Sequence, residues 1–138
     1  MLSGRIQQLK NILQKPDINI NYTFQRGEQT PLLLACQLEN SKVIDLLLEE
    51  ERLDVNQCNI NGDNPLSWVC EKGKTKIAKK ILESGKPIST SMLFKGLTLL
   101  EIAQQENQKS IFEMLLDFIT NGYFLIFFFF FHFFKIIF

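Results

Sequence analysis

The 138-residue chain sets 15 Lys and Arg against 15 Asp and Glu, with a single histidine, 46% hydrophobic residues and 22% charged ones. That composition belongs to a folded protein rather than a disordered one, and the length suits one domain or a few stacked repeats. The zero net charge removes the electrostatic footprint of a nucleic-acid binder.

From the N-terminus, Gly4–Leu13 (GRIQQLKNIL) carries Leu9, Ile12 and Leu13 at helical spacing, and Lys15-Pro16 stops the helix. The opening stretch lacks the long apolar core and small-residue cleavage site of a secretory signal. Beyond it, three segments align without gaps: Thr30–Leu48, Asn64–Leu82 and Thr98–Leu116, each starting 34 residues after the last. Their apolar quartets recur in step, Val43-Ile44 with Leu47-Leu48, Ile77-Ala78 with Ile81-Leu82, and Ile111-Phe112 with Leu115-Leu116. Spacing of i, i+1, i+4 and i+5 puts each quartet on one face of a helix.

Each segment brings its own punctuation. Thr30, Asn64 and Thr98 are side-chain N-caps, the first two followed by proline at the first helical position, where a missing amide costs nothing. A first helix of about eight residues is expected to end near Glu39-Asn40, Lys72-Gly73 or Glu106-Asn107. Gly73 and Asn107 are residue types that accept a left-handed backbone there. A second helix is expected from Ser41, Thr75 or Lys109, closing an antiparallel hairpin. Polar stretches separate the hairpins, with Asn61-Gly62 as the clearest tight-turn signal.

TPLLLAC with VIDLLL and Asp54-Val55-Asn56, GDNPLSWVCEKG with Leu82-Glu83-Ser84-Gly85, and GLTLLEIA with IFEMLL together resemble the ankyrin repeat. The histidine position of that family's TPLH motif holds Leu33, Ser67 and Glu101; the first unit has Glu39 where a helix-ending glycine is usual; and EEERLDVN carries an extra residue. Ile18-Asn19-Ile20-Asn21 is similar to the family's V-N step, so residues 1–24 are expected to form a capping half repeat without its first helix. Residues 25–58, 59–92 and 93–120 then form units 1, 2 and 3, followed by a tail at 121–138. The implied fold is an all-α solenoid of stacked helix pairs.

The resemblance implies a non-enzymatic module that holds another protein on the concave face of the stack. Carried over by position, its contact sites are Arg26, Gln29, Gln37 and Leu38 in unit 1. They are Ile60, Asn61, Asp63, Glu71 and Lys72 in unit 2, and Phe94, Lys95, Leu97, Gln105 and Glu106 in unit 3. Phe94 and Ile60, apolar residues on turns, are the expected anchors. Leu34, Trp68 and Ile102 share one position in successive first helices and are expected, with Ala35, Val69 and Ala103, to form core columns.

Chemistry is not expected. One histidine and three cysteines (Cys36, Cys58, Cys70) without a CxxC pair offer neither a zinc set nor a catalytic dyad. No glycine-rich phosphate loop is present, and no cofactor is expected. Cys36 and Cys70 lie in register on helices expected about 8–10 Å apart, beyond the roughly 7 Å that a disulfide spans. They are expected as buried free thiols of a cytoplasmic protein. Glu49-Glu50-Glu51 is a solvated face or a docking spot, and Lys72, Lys74, Lys76, Lys79 and Lys80 form a local basic cluster.

The tail from Tyr123 to Phe138, YFLIFFFFFHFFKIIF, holds nine of the chain's 13 phenylalanines. It admits three readings: a membrane anchor, which would make the chain a tethered adaptor; a cap folding back over the apolar last unit; or translation of a thymine-rich stretch that is not selected protein. A further alternative makes the chain a targeting fragment of a larger protein.

Overall fold

A computed structural model describes residues 2–137, with the side chains of residues 4–122, His132 and Lys135. Among the described residues seven helices follow one another: α1 (Leu2–Leu13), α2 (Pro31–Gln37), α3 (Ser41–Glu49), α4 (Pro65–Lys72), α5 (Thr75–Leu82), α6 (Leu99–Gln105) and α7 (Lys109–Ile137). A single 3-10 turn, Gln25–Gly27, precedes α2. Among the described residues, extended pairing is confined to two isolated bridges, Phe24 with Gln29 and Phe94 with Leu97.

The short first helices start where the caps dictate. Thr30 Oγ1 accepts from the Leu33 N–H at 3.2 Å, and Asn64 and Thr98 do the same for Ser67 and Glu101 at 2.8 and 3.3 Å. In units 2 and 3 the bond is reciprocated: Ser67 Oγ accepts from the Asn64 N–H, and Glu101 Oε2 from the Thr98 N–H. Residues that depart from the family's histidine thus close capping boxes of their own. Thr98 also holds the Glu101 carboxyl below its usual range, through its backbone N–H and then its hydroxyl.

The hairpins stack in two layers. α2, α4 and α6 pack in sequence as one layer, and α1, α3, α5 and α7 as the other, each first helix also packing on its own second helix. α1 touches α3, so the N-terminal segment occupies a second-helix place with no first helix beside it. Arg52 fastens it: Nη2 donates to Leu13 O at 2.7 Å and Nη1 to Ile18 O at 3.0 Å, with Lys15 O and Pro16 O at 3.3 Å. The guanidinium thereby serves carbonyls at and beyond the end of α1, which no intrahelical donor reaches.

Asparagines join unit to unit. Asn21 Nδ2 donates to Arg52 O and its Oδ1 accepts from the Asp54 N–H, both at 2.8 Å. One step along, Asn56 does likewise with Pro87 O at 2.9 Å and the Ser89 N–H at 2.8 Å. Burial of Leu32, Ala35, Cys36, Leu66, Val69, Cys70, Leu99 and Ala103 against Ile44, Leu47, Ile77, Ala78, Ile81, Ile111 and Leu115 makes one continuous core. Removing large apolar side chains from water at roughly 1.5–3 kcal/mol each is what holds such a stack together.

Two expectations about packing change. Ile102 is buried, but Leu34 and Trp68 are only half-buried. The column buried in all three units is Ala35, Val69 and Ala103. Trp68 still packs one side against the core. In addition, α7 continues unbroken to Ile137, 29 residues in all. At 1.5 Å per residue it is about 43 Å long, so the described backbone makes no return over unit 3. The anchor and cap readings of residues 123–138 depend on side chains that lie outside the described residues. Among those described, no helix is long and apolar enough to cross a membrane.

Candidate functional site

The turns that join the units project beside the N-termini of the first helices. In unit 1, Gln25, Arg26 and Gly27 all have positive φ (50°, 59° and 91°), with Arg26 exposed. In unit 2, Asn59 Oδ1 accepts from the N–H groups of Asn61 and Asp63, and Gly62 completes the turn at φ 81°. The first two tips are tied together: Ile60 N–H donates to Gly27 O at 2.7 Å, and Asn59 Nδ2 to Glu28 O at 3.0 Å. In unit 3, Lys95 and Gly96, both left-handed, form a two-residue hairpin turn between the bridge partners Phe94 and Leu97.

That hairpin corrects one anchor. Phe94 is 3% exposed and belongs to the core, while its neighbour Leu93 is 63% exposed. Pairing of Phe94 with Leu97 fixes the alternation, and Phe94 is the residue that it turns inward. Lys95-Gly96 was the available signal: a two-residue turn sets the phase of its flanks. Ile60 does stand exposed, at 70%, and so does Leu38, at 69%.

Seven of the candidate residues border one groove between units 2 and 3, of about 160 Å³. Asp63 and Glu71 come from unit 2; Phe94, Lys95, Leu97, Gln105 and Glu106 come from unit 3, and Ser67 and Ile102 complete the lining. Lys95 Nζ lies 4.0 Å from Asp63 Oδ1. In unit 1, Gln29 Nε2 donates to Gln37 Oε1 at 3.0 Å, leaving Oε1 of Gln29 buried with no partner among the described residues. Asn61 and Lys72 are exposed and outside the groove's lining.

The opposite side of the stack differs in charge. Lys74 pairs with Glu39 at 2.5 Å and Lys80 with Asp45 at 2.6 Å, each reaching back one unit, and Lys79 approaches Glu83 at 3.9 Å. Three of the five lysines of the basic cluster thus have acids beside them, two from unit 1 and one at the end of α5. Lys86 Nζ donates to Glu50 O, and the Glu50 carboxylate lies 3.6 Å from Arg52. The middle of the Glu49–Glu51 run thus has partners within the fold.

Cys36 and Cys70 are free and buried, and burial pushes both thiols up to about 12. Cys58, half-buried, is also raised, by burial first and then by Asp54 and Asp63. A thiol held neutral is a poor nucleophile. Among the described residues no group of three or more His, Cys, Asp and Glu could hold a metal ion. His132, the one histidine of the sequence, lies far along α7.

A model described as ankyrin repeats (3 copies) matches residues 2–92. The chain belongs to the ankyrin-repeat family. The match begins inside the half repeat and ends before unit 3, whose capped α6 and its packing with α7 extend the ankyrin stack by one more hairpin. Comparison with curated proteins gives no match. Ankyrin repeats in general are protein–protein interaction modules, and the family is typically non-enzymatic.

Proposed function

We propose that this ankyrin chain is a non-enzymatic adaptor that binds one partner protein through the concave face formed by its turns and first helices. The observation that carries the reading is the convergence of seven positionally chosen residues, from both units, on one groove. Leu38 and Ile60 supply exposed apolar side chains toward unit 1, and Trp68, half-buried, lies one helical turn before Glu71 on α4. Exposed aliphatic and aromatic groups beside a polar rim have the makeup of an interface. On the opposite face Lys74 and Lys80 are already paired with Glu39 and Asp45 one unit back.

Site-specific photo-crosslinking tests this. A photoreactive residue at Leu38 or Ile60 is expected to trap a discrete protein adduct in cells, whereas one at Lys76, exposed on the second helix α5, is expected to trap none. Adducts from Lys76 alone, or the same adducts from all three positions, would reject the concave face as the binding surface.

A further inference from the structure

The groove between units 2 and 3 has a chemistry of its own. Its floor is apolar, from Phe94, Leu97 and Ile102, and carboxylates stand on both sides: Asp63 and Glu71 from unit 2, Glu106 from the end of α6. Among the described residues Lys95 is the only cation in its lining, and it lies beside Asp63. The carboxylates of Glu71 and Glu106 have no ion-pair partner and accept no hydrogen bond among the described residues. Three carboxylates against one ammonium leave a surplus of negative charge over an apolar floor. At about 160 Å³ the groove is smaller than the ~300–1,000 Å³ of small-molecule sites, which points to a side chain as occupant.

Lysine and arginine have the matching shape: an apolar stem that can lie along the floor and a charged head that reaches the rim. Arginine matches better, since its planar, weakly hydrated guanidinium can bridge two carboxylates. We infer that this groove receives an arginine or lysine side chain from an extended segment of the partner protein. The inference rests on the concave-face reading and goes further by naming the recognised chemistry.

The test uses the full chain immobilised against a random peptide library, followed by affinity measurements on the enriched peptides. Enriched peptides are expected to share an arginine or lysine beside an apolar residue. Replacing that residue with alanine should weaken binding about tenfold, and so should Glu71→Gln combined with Glu106→Gln in the protein, two rim pairs being worth about that much together. Lys95→Gln should tighten binding, and added salt should weaken it. Lys95 and Glu106 are exposed and Glu71 is half-buried, and an unchanged melting temperature of the variants shows that the fold is kept. Enrichment of neutral or acidic peptides overturns the inference, as does no enrichment, or binding that ignores the Glu71/Glu106 double variant. Peptides without a cation that are lost with Ile60→Ala would overturn the cation groove alone. Peptides that no concave substitution affects would overturn the concave-face reading with it.

Discussion

Leu82 and Leu116 hold one position in successive second helices, yet Leu82 is 8% exposed and Leu116 is 48% exposed. The same contrast appears at one more position of the quartet, Ala78 against Phe112. In unit 2, Ile77, Ala78, Ile81 and Leu82 are all buried; in unit 3, Ile111 and Leu115 are buried while Phe112 is only half-buried. Unit 1, with the half repeat on its outer side, lies between them: Ile44 and Leu47 are buried, Val43 and Leu48 are half-buried. One hydrophobic pattern thus yields three degrees of burial. The pattern sets which face is apolar, and the neighbouring unit decides how much of it leaves water.

Substituting the two leucines is the strongest way to break this comparison. Leu82→Ala should cost about 2–4 kcal/mol, as removal of a buried leucine generally does. Leu116→Ala, at the open end, should cost well under about 1 kcal/mol. Urea denaturation of both variants measures the difference. Equal losses would mean that Leu116 is covered in solution, by another copy or by the far part of α7.

The thiols sharpen the comparison at another position. Cys36, Cys70 and Gln104 are equivalent residues of successive first helices, and the first two are buried where Gln104 is exposed. Because burial holds the two thiols at about 12 against an ordinary value of 9.0, they keep their protons in the fold and lose them when it opens. Their stabilising contribution is therefore complete below pH 9 and declines from there to about pH 12. At pH 10 each thiol should already have cost the fold on the order of 1 kcal/mol. The Cys36→Ala and Cys70→Ala double variant, less stable at pH 7, should lose less between pH 8 and pH 10 than the parent. Parallel pH curves for the two proteins would show that the thiols ionise while folded.

What the amino-acid sequence disclosed follows the range of the forces involved. The caps at Thr30, Asn64 and Thr98 and the second-helix starts at Ser41, Thr75 and Lys109 are decided within a few residues, and all were legible. The stacking of the quartets was legible too, because it recurs. Phe94 was misread because its direction depends on the phase of a hairpin, and Leu34 and Trp68 because periodicity marks an apolar face without saying which edge of it a neighbour leaves open. Arg52 left no local trace: its clamp reaches back 39 residues to Leu13. Positions along the groove were legible by family resemblance alone, whereas its surplus of carboxylates emerged only when Glu71 and Glu106 were brought to the same cleft.

The smallest effect compares the units at the turn between their two helices. Glu39, Gly73 and Asn107 all adopt positive φ there, at 51°, 69° and 55°. Glycine takes this conformation freely and asparagine tolerates it, whereas a glutamate meets a steric cost of about 1–2 kcal/mol. Glu39 offsets part of it by its 2.5 Å pair with Lys74, worth at most about 1 kcal/mol at an exposed site. Glycine in its place also loosens the unfolded chain by about 0.4–1 kcal/mol. Glu39→Gly should therefore leave stability within about 0.5 kcal/mol of the parent. In a Lys74→Ala background the ion pair is already gone, so the same substitution should stabilise by about 0.5 kcal/mol. The difference between the two backgrounds, measured by denaturant unfolding, is the coupling of Glu39 with Lys74. Identical changes in both would mean that the ion pair contributes nothing and that the glutamate's turn is strained without compensation.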